Sequence, residues 1–257
     1  MIYAIINQKG GVGKSTTTAI LAAALARRGY KVLAVDMDSQ SASLSFLFNA
    51  NNSDRNAAEL MKGAPVEDQI MHVADNIDII AGSAELADID NRISKARQLN
   101  KYGLLKKALQ EIQGDYTHIL IDTPPSLNTA ALNVLVAADR VIIPTGADAL
   151  SLKGTTDLYE TISAVKEAQN PDLQIEGLLI TRYAGRTNLA KDLTETAEEL
   201  ARYMHTKVYK TKIRELTQIK ESQTLRQSIF DRKRYAEAAN DFNAFTDELL
   251  SDEKAAK

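Results

Sequence analysis

The sequence has no cysteine among its 257 residues. That absence removes disulfides, thiolate metal sites, iron–sulfur ligation and cysteine nucleophiles together, and it suits a reducing compartment such as the cytosol. No apolar run approaches the roughly 18–20 residues of a membrane-spanning helix. No basic segment with a cleavable apolar core precedes the first strand-like stretch, so no signal peptide is expected. Linkers rich in Gly, Ser or Pro are missing, and so are internal repeats. The chain is therefore expected to fold as one domain over residues 1–250, with 251–257 as a frayed tail. A net charge of −3 argues, by itself, against a general nucleic-acid binder.

What is present is an alternation of short apolar runs with longer helical stretches. Ile2–Asn7, Lys31–Asp36, Ile77–Gly82, His118–Asp122, Arg140–Pro144 and Gln174–Thr181 read as buried strands. Helices are predicted over Lys14–Arg28, Ala57–Lys62, Leu99–Gln113, Asn128–Ala138, Ser151–Gln169, Leu189–Met204, Glu215–Arg226 and Arg234–Leu250. Short β-branched strands separated by helices make βαβ units. They predict an α/β fold with a doubly wound, mainly parallel sheet flanked by helices.

The most specific signal is Lys9-Gly10-Gly11-Val12-Gly13-Lys14-Ser15-Thr16, placed between the first strand and the first long helix. This is the context that a phosphate-binding loop requires. Glycines let the backbone curl so that successive N–H groups face an anion, and the helix N-terminus adds partial positive charge. In such a loop Lys14 reaches the β- and γ-phosphates and the Ser15 hydroxyl ligates Mg²⁺. A dinucleotide-binding turn would need a third glycine where Thr16 stands. Asp122 closes the apolar run HILID ahead of Thr123-Pro124-Pro125. Beside such a loop, that pattern reads as a carboxylate holding a Mg²⁺-bound water.

The general pattern wants glycine at position 8, where this chain has Gln8, and it carries a second lysine, Lys9. This form resembles the deviant Walker A motif of the ParA/MinD group of P-loop ATPases, and within it the ParA (Soj-like) partitioning ATPases. The segment VDMDSQS resembles the VDxDPQG segment of that group, with Ser39 for proline and Ser41 for glycine, and Asp122-Thr123-Pro124-Pro125 resembles its D-x-P-P segment. The resemblance implies a P-loop fold, ATP and Mg²⁺ as ligands, and slow, partner-stimulated ATP hydrolysis. It implies that Lys9 reaches a partner's phosphates in an ATP-bound homodimer, a kind of contribution worth about 10³–10⁵ in rate. It further implies that Asp38 orients the attacking water and that Asp36 helps hold the Mg²⁺ shell. A helix cap or a turn is the other reading of either carboxylate. LLITRY (178–183) resembles the strand edge that holds adenine, so that Arg182 stacks on the base or is simply a surface residue.

Charge is unevenly spread. Between Arg202 and Arg234 stand ten Lys and Arg against Glu215, Glu221 and Asp231. That is the footprint of phosphate-backbone contact, although a solvated helix face has the same count. ParA-like proteins bind nonspecific DNA through this part of the chain, and Arg214, Lys220 and Arg226 are the candidate contacts. A ParB-like centromere- or cargo-binding partner and a cytoplasmic, nucleoid-associated location are implied with it. The alternative is a MinD-like protein working on a membrane surface, which needs a basic amphipathic C-terminal helix. Residues 236–250 instead carry Glu237, Asp241, Asp247 and Glu248 and no Lys or Arg, so no membrane partner is expected.

Overall fold

The computed structural model describes residues 1–40, 44–50, 54–89, 101–146, 149–185 and 188–255. Ser41 and the first residues of the helix expected from Leu99 lie outside them. The strands are β1 (Ile2–Ile5), β2 (Val32–Asp36), β3 (Met71–Ala74), β4 (Ile77–Ile80), β5 (His118–Asp122), β6 (Arg140–Gly146) and β7 (Gln174–Thr181). They form one sheet in the order β3-β4-β2-β5-β1-β6-β7. Every neighbouring pair is parallel except β3–β4, which is antiparallel. The expected doubly wound, mainly parallel sheet is what forms.

The described helices used below are α1 (Lys14–Ala26), α2 (Leu44–Leu47), α3 (Ala57–Met61), α4 (Leu104–Ile112), α5 (Thr129–Ala137), α6 (Ala149–Ala168), α7 (Asn188–Tyr203), α8 (Thr217–Thr224) and α9 (Ala236–Ala255). β1 shows how the two layers arise. Ile2 and Ala4 pack with α4, α5 and α6, whereas Tyr3 and Ile5 pack with Leu21 and Leu25 of α1 and Phe242 and Phe245 of α9. Period-2 alternation on a strand buried on both faces sends successive side chains to opposite layers. All five residues of β2 and of β5 are buried, as befits strands in the middle of the sheet.

Two expectations change. The edge strand β3 was not read from the sequence, because only alternate residues of Met71–Ala74 are covered. The tail does not fray at 251: α9 runs on to Ala255. Glu253 holds it there, accepting from the Tyr3 hydroxyl at 2.6 Å and lying 3.0 Å from His118 Nε2, while Asp252 pairs with Lys207. The apolar stripe of α9 (Ala238, Phe242, Phe245, Leu249) is fully buried against the sheet. Each of its large side chains contributes about 1.5–3 kcal/mol of burial there. Among the described residues no helix is long and apolar enough to cross a membrane.

The consequence for function is positional. The loop after β1, the segment after β2 and the loop after β5 all leave the carboxyl edge of the sheet, where open parallel sheets place their ligands.

Candidate functional site

Between β1 and α1 the backbone needs glycine twice. Gly11 (φ 76°) and Gly13 (φ 88°) lie in the left-handed region, which side chains with a Cβ avoid. Gly13 caps α1 and offers no side chain to the helix's first N–H groups. Those groups, with the partial positive charge of the helix end, are left to face an anion. The loop is pinned from three sides. Asn7 Nδ2 donates to the Pro144 carbonyl at 2.8 Å, the Lys9 N–H donates to Asn7 Oδ1 at 3.0 Å, and Thr181 Oγ1 donates to the Val12 carbonyl at 2.7 Å. Lys9 itself is half-buried.

Lys14, only 7% exposed, lies beneath this loop with Nζ 3.4 Å from the Lys9 carbonyl. Burial lowers its pKa, and Asp122 and Asp38 oppose that shift. Asp122 is fully buried, and neither of its oxygens has a hydrogen-bond partner. Burial foremost, and then the neighbouring Asp36, push its pKa well above the usual carboxylate value. Ser15 and Lys14 pull it down, the Ser15 hydroxyl lying close without completing a hydrogen bond of ordinary geometry. A buried carboxylate with two orphaned oxygens is costly, and a hydrated cation resolves that cost. Among the described residues no cluster of three His, Cys, Asp or Glu could cage a metal. The Asp122 carboxylate beside the Ser15 hydroxyl fits Mg²⁺, which keeps most of its waters and takes one or two protein oxygens plus phosphates.

Asp36, the last residue of β2, and Asp38 beyond it have different surroundings. Asp36 was expected to help hold the metal shell, but both of its oxygens accept hydrogen bonds from protein. Oδ1 takes the Asp38 N–H at 3.0 Å, and Oδ2 takes the Ser45 N–H at 2.8 Å together with the Ser45 hydroxyl. Asp36 thus ties the Asp38 segment to α2. Asp38, 8% exposed, has a pKa raised by burial, offset in part by the Gln40 N–H and Lys14. It faces the cavity that Lys14 lines. Gly82, past β4, was missed as a site residue. A Cβ there would lie 2.7 Å from the Asp38 carbonyl oxygen and 2.8 Å from the Asp36 carboxyl carbon, and its N–H donates to Ser45 Oγ at 2.7 Å.

The cavity over the loop encloses about 580 Å³ and is lined by Lys14, Ser15, Thr16, Asp38, Pro125 and, from α8, Lys220. A second cavity of about 230 Å³ shares Gly11, Thr16 and Lys220 and extends between Arg182 and Leu216. Arg182 has a left-handed φ of 53°. Its guanidinium donates to the Gly11 carbonyl at 3.3 Å and pairs with Glu215 at 3.1 Å. It lines the second cavity with its side chain 54% exposed.

The three candidate DNA contacts have different surroundings, although Arg214 and Lys220 line the same second cavity. Arg214 is engaged by both oxygens of Asp241 and by the Glu237 carbonyl on α9. Lys220 pairs with Glu215 and faces the nucleotide-sized cleft. Arg226 lies 4.2 Å over the Phe46 ring and bonds Asn49. Arg214 thus fastens α9 through acidic partners outside the basic stretch while its side chain stays 43% exposed. Arg232 and Lys233 are exposed and form no ion pair among the described residues.

Comparison with known proteins gives a consistent grouping. The profile of a family described as an AAA domain matches residues 1–175. The chain is 36% identical over 223 residues to the sporulation initiation inhibitor protein Soj of Bacillus subtilis, covering 82% of this chain and 83% of that one. It is 38% identical over 206 residues to the chromosome partitioning protein ParA of Myxococcus xanthus, covering 76% and 69%. Among solved structures it resembles cobyrinic acid a,c-diamide synthase from Mycobacterium smegmatis with bound ATP analog and magnesium. That match has a TM-score of 0.84 at 28% identity and covers 100% of this chain and 96% of that one. The cell division ATPase MinD of Pyrococcus furiosus superposes with a TM-score of 0.76 at 26% identity, covering 97% and 98%.

Proposed function

We propose, from the premise that this chain belongs to the ParA family of partitioning ATPases, that its cleft drives an ATP-dependent dimerising switch. The chain is an ATPase, and ATP and Mg²⁺ are its ligands. The N–H groups of residues 10–16 and Lys14 grip the β- and γ-phosphates. Desolvated Lys14 gains its counter-charge from them, since a charge pair is strengthened in a site that excludes water. Ser15 and Asp122 are the residues that hold Mg²⁺ and its waters. When bound, the ion neutralises phosphate charge and lowers the cost of charge development.

Asp38 is the carboxylate placed to orient a water for attack on the γ-phosphate. Its raised pKa brings it toward the range useful to a general base. Asp36, Ser45 and Gly82 hold it in place. Arg182 and the second cavity form the base-side subsite. Lys9, on the outer turn of the loop, is the residue to reach a twin subunit's phosphates.

In the switch, the ATP-bound homodimer binds nonspecific DNA through exposed cations of residues 202–234, and a ParB-like partner stimulates hydrolysis and release. With Arg214 engaged by Asp241, this reading gives the DNA phosphates to exposed cations outside ion pairs, among them Arg202, Lys210, Arg226, Arg232 and Lys233. Nonspecific binding of this kind needs no base-reading element.

One observation carries the nucleotide site: the buried, unpartnered Asp122 carboxylate opposite desolvated Lys14. Titration of ATP into the wild type and Lys14→Ala, with and without Mg²⁺, tests it. Wild-type binding should require Lys14 and strengthen with Mg²⁺; undiminished affinity in Lys14→Ala would overturn the assignment.

A further inference from the structure

One contact in the cleft is unused by the roles above. Gln223 of α8 donates from Nε2 to Thr16 Oγ1 at 2.6 Å, across 207 residues of sequence. Thr16 is the third residue of α1, in the turn whose N–H groups face the anion site. Both residues line both cavities, so their bond lies in the wall that the phosphate side and the base side share. Gln223 is on a well-supported helix. Ile219 and Ser222 of α8 are buried, and Lys220, Gln223 and Thr224 present one face to the cleft, as residues three and four apart do. Just beyond the helix, Arg226 rests on Phe46.

The chemistry of the bond decides what it does. A threonine hydroxyl has one proton and two lone pairs. When an amide N–H occupies a lone pair, the hydroxyl keeps its proton for another acceptor. In this cleft that acceptor is a phosphate oxygen. A carboxylate at position 223 would do the reverse: it would take the proton, turn an oxygen lone pair toward the phosphate and add a repelling charge.

We infer that Gln223 is a positioning residue for the nucleotide, fixing the Thr16 hydroxyl as a hydrogen-bond donor to a phosphate oxygen. The inference rests on the reading of the cleft as an ATP site. A hydrogen bond to a charged group, lost or misdirected, corresponds to about a tenfold change in affinity or more.

The test is ATP and ADP affinity, by calorimetry with Mg²⁺, in wild type, Gln223→Ala, Gln223→Glu, Thr16→Val and Thr16→Val/Gln223→Ala. Thr16→Val keeps the shape of the side chain and probes the same bond from the P-loop side, should substitution on α8 unsettle the helix. Gln223→Ala should bind about tenfold more weakly, and Gln223→Glu more weakly still. Gln223→Ala should have no further effect once Thr16 is valine, since residues acting through one bond are not additive. Wild-type affinity in Gln223→Ala, equal effects of Ala and Glu, or simple additivity in the double variant would each overturn the inference while leaving the ATP site standing. A wild type that binds no ATP overturns both.

Discussion

Gly82→Ala adds one methyl group outside every motif that the sequence announces. The φ of Gly82 is not in the left-handed region, so alanine strains no dihedral there. Space is what is missing. The new Cβ would stand 2.7 Å from the Asp38 carbonyl oxygen, 2.8 Å from Asp36 Cγ and 2.9 Å from Asp36 Oδ2. None of these is the far end of a flexible chain. The carbonyl is backbone, and the Asp36 carboxylate is fixed by Ser45 and by the Asp38 N–H. Overpacking of this kind costs about 1–3 kcal/mol, and each kcal/mol lowers the melting temperature of a domain this size by about 2–4 °C. Relieving these contacts must also shift the Asp36–Asp38 segment. A displacement near 1 Å of a catalytic group costs about 10²-fold in rate, whereas the loop amides and Lys14 are untouched. ATP turnover in Gly82→Ala should therefore fall by at least about tenfold, with ATP affinity within about threefold of wild type. Thermal denaturation, steady-state hydrolysis and ATP titration measure the three quantities. Gly10→Ala is the stability control, because nothing lies within 4 Å of its added Cβ. An unchanged melting point with unchanged turnover, or affinity lost in step with turnover, would refute the reasoning.

Asp38→Ala should keep ATP binding and dimer formation and lose hydrolysis; wild-type turnover would move the catalytic role elsewhere. Asp122→Asn should melt higher than wild type when ligand-free at neutral pH yet lose the Mg²⁺-dependent stabilisation by ATP. The sign follows from its raised folded-state pKa. Stability from that group is fully present below the unfolded value near 4 and is lost as pH rises through the folded one, a dependence that asparagine removes. Melting curves across pH, with and without MgATP, check both halves, and a ligand-free variant less stable than wild type would contradict the account. DNA retention should require ATP and fall steeply with salt. Arg232→Glu/Lys233→Glu should weaken it more than Arg214→Ala does, as filter binding would measure; equal losses would return Arg214 to the interface.

How much of this was legible in the sequence depended on distance along the chain. The phosphate loop could be read because its glycines, lysine and hydroxyls are contiguous and sit between a strand and a helix. The bounds of β5 and β7 could be read because β-branched runs end there at turn residues, and both strands begin and end where expected. β3 could not, since its pairing with β4 is supplied by a neighbour and only half of its residues are covered. The surroundings of Asp36 were hidden for the same reason. Two acidic residues beside a nucleotide loop suggest a metal, and only the fold shows Ser45 and the Asp38 N–H bonding Asp36 with Gly82 packed against it. Charge shows the limit most sharply. Ten cations in a short stretch look like a basic face, but Asp241 claims Arg214, and Glu176 and Asp252 claim Lys207. Each of those partners lies outside the window that was counted. A surplus along the chain becomes a field in space only for cations whose partners are water. That condition is met by the exposed cations Arg202, Lys210, Arg226, Arg232 and Lys233, which form no ion pair among the described residues, and the DNA reading stands on these.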